Sequence, residues 1–269
     1  MHSQSALVPF LKWAGGKRWL IRNHSTLFEM SPRGRYVEPF LGSGAVFFNL
    51  LPKRALLNDV NSELIATYAA IRDEWRKVTR ALARHHRKHS PEYYYRVRSN
   101  VPTDSVSLAA RFIYLNRTCF NGIYRVNRRG EFNVPLGTKT SVVLDTDNFE
   151  AVANALCGAV LSSEDFEVVI DSCGRGDFIF ADPPYTVKHN NNGFVKYNER
   201  LFSWSDQERL STCLRRAAKR GVDIVVSNAD HSSIRELYSG CEVLTLSRYS
   251  IMASESSRRK VTSEILVRL

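Results

Sequence analysis

Four consecutive residues, Asp182-Pro183-Pro184-Tyr185, close an apolar run of buried-strand type, Asp177 to Ala181. The paired prolines stiffen the backbone, and Pro184 brings no N–H to compete for the Pro183 carbonyl. A carboxylate beside a fixed carbonyl can accept both hydrogens of one exocyclic amine. The tyrosine that follows can stack on the base bearing that amine, so the chemistry indicated is work on a flipped-out adenine or cytosine. A second cluster lies near the N-terminus. Gly42 and Gly44 make a tight turn that admits a ligand close to the backbone. Asp59 closes the next strand, where it can accept hydrogen bonds from ribose hydroxyls. The spacing Gly42-x-Gly44-x-x-Phe47 lacks the third glycine of the dinucleotide fingerprint, which argues against NAD or FAD.

These groups need strands to carry them. Tyr36 to Pro39 and Ala55 to Asp59 read as strands, with the glycine turn and a helix through Leu50 between them. Asn61 caps one long helix or two, reaching Lys88. Pro91 and Pro102 punctuate a looser stretch, and Asp104 caps a helix over Ser105 to Asn116. Asn121 to Pro135 reads as a hairpin or loop. Further on, Asp147 to Leu156 is helical and Ala159 to Ser162 a strand. Asp206 to Arg220 is a helix, Val222 to Ser227 a buried strand and Ser232 to Tyr238 a short helix. Cys241 to Tyr249 and Val261 to Arg268 form a terminal strand pair. Strands and helices alternating on both sides of a central segment predict a parallel-rich α/β sheet. The central segment, residues 62–145, reads as an inserted recognition domain, leaving 1–61 and 146–269 for the catalytic domain. In such sheets ligands bind outside the carboxyl ends of the strands, where the glycine turn, Asp59 and the tetrad all fall.

The chain has 269 residues, 43% of them hydrophobic, and a net charge of +11. Arg72 to Lys139 holds fifteen Lys/Arg against five Asp/Glu, so +10 of that charge sits in one quarter of the chain. Such concentration points to a nucleic-acid surface. Tyr93, Tyr94 and Tyr95 are candidates for stacking on bases, and equally for burial between helices. His85, His86 and His89 lack a carboxylate or cysteine at ligand spacing, and the five cysteines are scattered with no CxxC. No metal site and no disulfide scaffold is therefore expected. No apolar run is long enough for a membrane helix. Met1 to Val8 lacks the basic start and apolar core of a signal peptide, so a cytoplasmic location is expected. No obligate protein partner is indicated.

The sequence resembles the Dam-type DNA adenine-N6 methyltransferases from Phe10 to about Leu266. The resemblance is carried by five motifs in order. They are Phe10-Leu11-Lys12-Trp13-Ala14-Gly15-Gly16-Lys17, then Glu38-Pro39-Phe40-Leu41-Gly42-Ser43-Gly44, then Asn58-Asp59-Val60-Asn61. The recognition hairpin follows, with Leu115-Asn116-Arg117, Asn121 to Arg125 and Arg129 to Gly137, and the tetrad is last. The resemblance implies a Rossmann-like methyltransferase sheet with an inserted, mainly helical DNA-recognition domain and hairpin. It implies S-adenosyl-L-methionine as cofactor, held by Trp13, Lys17, Phe40, Gly42 and Asp59, with Asp165 and Phe166 flanking its adenine and Asp182 beside it. Asp182, the Pro183 carbonyl and Tyr185 would grip the target amine and base. Lys12, Ile123, Arg125 and Pro135 fall where such enzymes contact GATC bases in double-stranded DNA. Asn121 and Asn127 would contact phosphate or orient the hairpin, and Phe120, where the family often has Tyr, could wedge into the vacated stack. Tyr124 and Arg128 would change contacts outside the core site. Thr186 to Asn198, with Lys188 and Lys196, would order over the flipped base. The same tetrad chemistry also serves cytosine-N4, RNA and protein-glutamine methyltransferases. A non-catalytic DNA-binding module is the reading from another class.

Overall fold

A computed structural model describes residues 7–13, 15–17, 19–20, 24–31, 34–127, 129–187, 202–249 and 261–269. The architecture is mixed α/β and Rossmann-like, as the sequence leads one to expect. By contact density the chain divides into two compact units, residues 1–25 with 41–163 and residues 26–40 with 164–269.

The first unit contains two paired parallel strands, β2 (Ala55–Asn58) and β3 (Ala159–Ser162). They are accompanied by a short helix α1 (Phe47–Leu50) and four longer ones. In α2 (Ser62–Lys88) the Asn61 side chain accepts from the Leu64 amide, and non-helical angles at Glu74 kink the helix in two. The segment around Pro91 is not loose. Ser90 caps a helix, α3 (Pro91–Ser99), and Pro91 occupies its first turn, where a missing N–H costs nothing. Asp104 caps α4 (Ser105–Thr118), every residue of which from Ala109 onward is buried. Helix α5 (Phe149–Leu156) completes the unit, and α2 packs against both α4 and α5.

The second unit carries β1 (Tyr36–Glu38), β4 (Phe178–Ala181), β5 (Asp223–Ala229), β6 (Glu242–Tyr249) and β7 (Val261–Arg268). Their order is β1-β4-β5-β7-β6. The first three are parallel, and β7 runs antiparallel to both neighbours. Strands β1 and β4 are buried throughout, as central parallel strands are. Gly34 fits against the Gly176 carbonyl, where a Cβ would come within 1.7 Å, and Arg35 pairs with Asp177 at 2.8 Å. These contacts fix the starts of β1 and β4. Helix α7 (Trp204–Lys219) begins with a reciprocal Ser203–Asp206 capping box. Helix α8 (Ser232–Leu237) follows β5. A six-residue helix, α6 (Phe166–Asp171), is absent from the sequence reading because it is too short to show a helical period. Among the described residues no helix is long and apolar enough to cross a membrane.

Candidate active site

The glycine turn is held almost entirely by its own backbone. Gly44 N–H donates to the Leu41 carbonyl at 2.8 Å, and Leu41 N–H donates to Asn58 at the end of β2, also at 2.8 Å. Gly42, at φ +50°, donates its N–H to Asp59 Oδ2 at 2.9 Å, while the Tyr68 hydroxyl donates to the Gly42 carbonyl. Asn61 N–H reaches Asp59 Oδ1 at 3.0 Å. Each carboxylate oxygen thus accepts one backbone N–H and keeps a further lone pair. Burial pushes the Asp59 carboxyl above its ordinary range, and the Asn61 and Gly42 amides pull it back in part. Trp13 lies directly on the turn: a Cβ on Gly42 would stand 2.7 Å from the indole Cδ1. Lys17 is buried, its Nζ donating to the Gly15 carbonyl at 2.8 Å. Trp13, Gly42 and Asp59 are therefore brought together.

The tetrad turn continues β4 in the second unit. Its supports are side chains from distant positions. Tyr185 donates its hydroxyl to Glu264 Oε2 at 3.0 Å, which leaves Ser227 Oγ, 2.8 Å away, to donate to the phenol oxygen. Gln207 Nε2 donates to the Pro184 carbonyl at 3.1 Å, and Asn228 donates to Gln207 Oε1 at 3.1 Å. Burial, then the nearby Asp182 and Glu264 carboxylates, hold the Tyr185 phenol well above its usual range, so it remains a donor. Beneath the tetrad, Tyr36 donates to Glu38 Oε1 at 2.6 Å, and its phenol is likewise raised by burial, by Glu38 and by Asp182. The sequence alone does not single out Glu264, Ser227 or Gln207. Their only signal is a polar residue within an apolar strand or helix face.

Asp165 and Phe166 occupy the start of α6. Asp165 caps that helix through the Glu167 amide and binds Arg209 through two contacts, at 2.7 and 2.9 Å. The Phe166 ring is buried between Phe40 and Phe202, at 5.5 and 5.6 Å, with the Arg209 guanidinium 4.1 Å from its centroid. Phe40 is the half-exposed ring of the cluster. Of the expected lid, Thr186 and Val187 are buried, Thr186 donating to the Phe202 carbonyl. Residues 188–198, with Lys188 and Lys196, lie outside the described residues, as does Arg128.

The recognition segment is an irregular hairpin with antiparallel bridges Cys119–Leu136 and Val126–Phe132. Its tip is organised by Asn127, whose Oδ1 accepts from the Arg129 and Glu131 amides. Phe120, Asn121, Ile123, Arg125 and Pro135 are exposed on it. Asn121 adopts φ +57°, a left-handed conformation that asparagine tolerates better than most side chains. Arg125 Nε donates to Asn133 Oδ1. Lys12 joins this group across 104 residues. Its main chain exchanges two 2.8 Å hydrogen bonds with the Asn116 side chain, and its own side chain lies against Gly122.

Not all the basic charge faces solvent. Arg117 is fully buried, bidentate to Asp147 at 2.6 and 2.5 Å, and donates to the Phe10 and Val142 carbonyls. Arg111 is buried too and donates to the carbonyls of Val97 and Arg98 at the end of α3. Both arginines build the scaffold instead of presenting charge. Tyr94 is also withdrawn from any base: it is buried, with its hydroxyl donating to the Val134 carbonyl.

A profile of the D12 class N6 adenine-specific DNA methyltransferases matches residues 13–256. The Type II methyltransferase M1.LlaDCHI of Lactococcus lactis subsp. cremoris is 35% identical over 97% of this chain and 95% of its own. The Type II methyltransferase M.MjaIII of Methanocaldococcus jannaschii is 32% identical over 94% and 95% respectively. The DNA adenine methylase of Escherichia coli K12 is 31% identical over 96% and 93%. Glycine turn, tetrad and hairpin all fall inside these matches. The chain belongs to the D12 class of N6 adenine-specific DNA methyltransferases and methylates adenine in DNA with S-adenosylmethionine as methyl donor.

Proposed function

We propose that the target is the adenine of GATC in double-stranded DNA, taken out of the stack before methylation. The observation that carries this reading is the hairpin, which exposes Phe120, Ile123, Arg125 and Pro135 together. Arg125 suits guanine through a bidentate contact to O6 and N7. Ile123 and Pro135 offer apolar surface to a thymine methyl, Phe120 a wedge for the vacated stack. Lys12 is held at the hairpin base by Asn116 as a further base contact, Asn121 is placed for phosphate, and Asn127 shapes the tip. Residues 62–145 serve as the target-recognition domain, inserted between catalytic residues 1–61 and 146–269. On this reading the enzyme acts on DNA in the cytoplasm of a bacterial host, and its sequence indicates no obligate protein partner.

The residues fit the cofactor. Asp59 keeps a lone pair on each oxygen for ribose hydroxyls, and Gly42, having no Cβ, lets the Trp13 indole lie directly on the turn. Trp13 and Lys17 complete that side of the site, and the family resemblance assigns Phe40, Asp165, Phe166 and Asp182 to the cofactor as well. S-adenosylmethionine supplies an electrophilic methyl group on sulfonium. The adenine N6 lone pair is delocalised into the ring and is a poor nucleophile. Asp182 and the Pro183 carbonyl accept its two hydrogens and favour the tetrahedral nitrogen on which charge develops. Tyr185 holds the ring by stacking. The bound cofactor would give up its methyl group from sulfonium to N6, and the surplus N6 proton would pass to solvent afterwards. Asp182 therefore need not be a strong base, and positioning supplies most of the rate.

Labelled methyl transfer to two duplexes tests the reading, one with a single GATC and one with the same bases scrambled. Transfer to the first alone is the expected result. Transfer to both equally would remove the GATC assignment, and transfer to neither with cofactor bound would point to another substrate such as RNA.

A further inference from the structure

Tyr124 sits in the recognition hairpin between two residues that face outward, Ile123 and Arg125. Strand-like alternation turns its own side chain the other way. The ring stacks on Phe112 at 4.9 Å and on Trp13 at 6.2 Å with only 19° between the planes. Its hydroxyl donates to Glu63 Oε2 at 2.9 Å, in the first turn of α2. That turn begins at Asn61, whose amide donates to Asp59. Trp13, on its side towards the glycine turn, covers Gly42 closely enough to exclude a Cβ. A hairpin side chain is thus fastened at both ends to the glycine turn and the ribose acid, through Trp13 by its face and through Glu63 by its hydroxyl.

We infer that Tyr124 is a positioning residue for the cofactor: the recognition hairpin supplies the surface that holds Trp13 over the glycine turn. Trp13 is half-buried, and the Tyr124 ring is stacked against it. An indole free to change rotamer loses part of its contact with a ligand, because the ordering must then be done at binding. The inference rests on the reading that Trp13, Gly42 and Asp59 line the cofactor site.

The test is calorimetric titration of the full-length protein with S-adenosylhomocysteine, without DNA, so that lost base contacts cannot mimic the effect. Tyr124→Ala is expected to weaken binding about tenfold, the scale of a lost aromatic stack and its tethering hydrogen bond. Tyr124→Leu, which keeps apolar bulk, should weaken it several-fold, and Tyr124→Phe least. In turnover assays the leucine variant should raise KM for the cofactor with kcat at saturation little changed, a split that general loosening of the fold would not give. Arg125→Ala, on the outward face, should leave S-adenosylhomocysteine affinity as it was. Wild-type affinity in Tyr124→Leu, with Asp59→Ala impaired, would overturn the inference alone. Wild-type affinity in Asp59→Ala would instead overturn the underlying reading of the cofactor site. If Tyr124→Ala does not fold, the leucine and phenylalanine variants decide.

Discussion

The glycine turn and the tetrad turn follow strands in the same way but are held by different means. Leu41 to Gly44 stitches itself with main-chain donors, and its one long-range carboxylate, Asp59, is also bonded to main chain. Asp182 to Tyr185 cannot do this, because Pro183 and Pro184 have no N–H to give. Its geometry is delegated to Gln207, Ser227 and Glu264, which stand on α7, β5 and β7. Where the backbone can satisfy itself, placement is local and tolerant of distant change. Where proline removes the donors, placement depends on buried side chains far along the chain.

The largest effect should come from the tetrad's own acceptor. Asp182→Ala is expected to lower kcat by at least about 10²–10³, the scale for removing one preorganised electrostatic partner. DNA binding, which the proposal assigns to the hairpin, should persist in a gel-shift assay, and normal turnover by this variant would sink the scheme. On the other side of the comparison, Gly42→Ala should lower cofactor affinity by about tenfold or more. The added methyl meets Trp13 at 2.7 Å on a backbone at φ +50°, where both overpacking and left-handed strain apply. Calorimetry with S-adenosylhomocysteine reads this directly. An affinity matching wild type would mean the turn is not where the ligand approaches.

The same contrast explains what the sequence made visible. Gly42, Gly44 and Asp59 can be read as one cluster because turn, strand end and cap are neighbours in the chain. Strand β3 and the caps Asn61 and Asp104 were legible for that reason as well. Pro91 misled because a proline reads as a breaker until Ser90 is seen to cap the helix it begins. Arg111 and Arg117 inflated the apparent nucleic-acid charge. Arg117's partner Asp147 lies 30 residues away, and its carbonyl acceptors Phe10 and Val142 have no side-chain signature at all. Glu264 was hidden more deeply, as one acid in a strand 79 residues from the tyrosine it holds. Tyr124 was legible as a motif position, but its inward direction depends on Trp13, Phe112 and Glu63 meeting there.

Glu264 gives the comparison a sharper test. Glu264→Ala removes an acceptor from Tyr185 while leaving Ser227 in place. It should reduce kcat several-fold to about tenfold with little change in KM for DNA, since the ring proposed to stack on the base is displaced and not deleted. Tyr185→Phe should cost a similar amount. The double variant should then be no worse than Tyr185→Phe alone, because the phenylalanine variant already lacks the Glu264 hydrogen bond as well as the Ser227 one. Fully additive losses would show that Glu264 acts on something other than the phenol.

The smallest effect is one of pH, and it divides the two turns. Tyr185 is raised, so its phenol does not titrate in the working range. Asp59 is also raised, which for a carboxyl brings protonation closer to neutrality. On acidification the cofactor side should fail first. Affinity for S-adenosylhomocysteine should fall at a pH above that at which an ordinary aspartate protonates, because a neutral carboxyl is a weaker acceptor for ribose hydroxyls. The fold responds with the opposite sign. A carboxyl whose folded pKa exceeds its unfolded value binds more protons when folded, so Asp59's own contribution to stability grows as pH falls through the folded pKa and levels off below the unfolded one. Weakening of the ligand with no matching loss of thermal stability attributable to Asp59 is therefore the signature. Asp59→Asn, which cannot titrate, should bind less tightly at neutral pH and lose the acid limb. If the limb survives in that variant, another group governs it, and the carboxylate's main-chain tethering is a matter of structure alone.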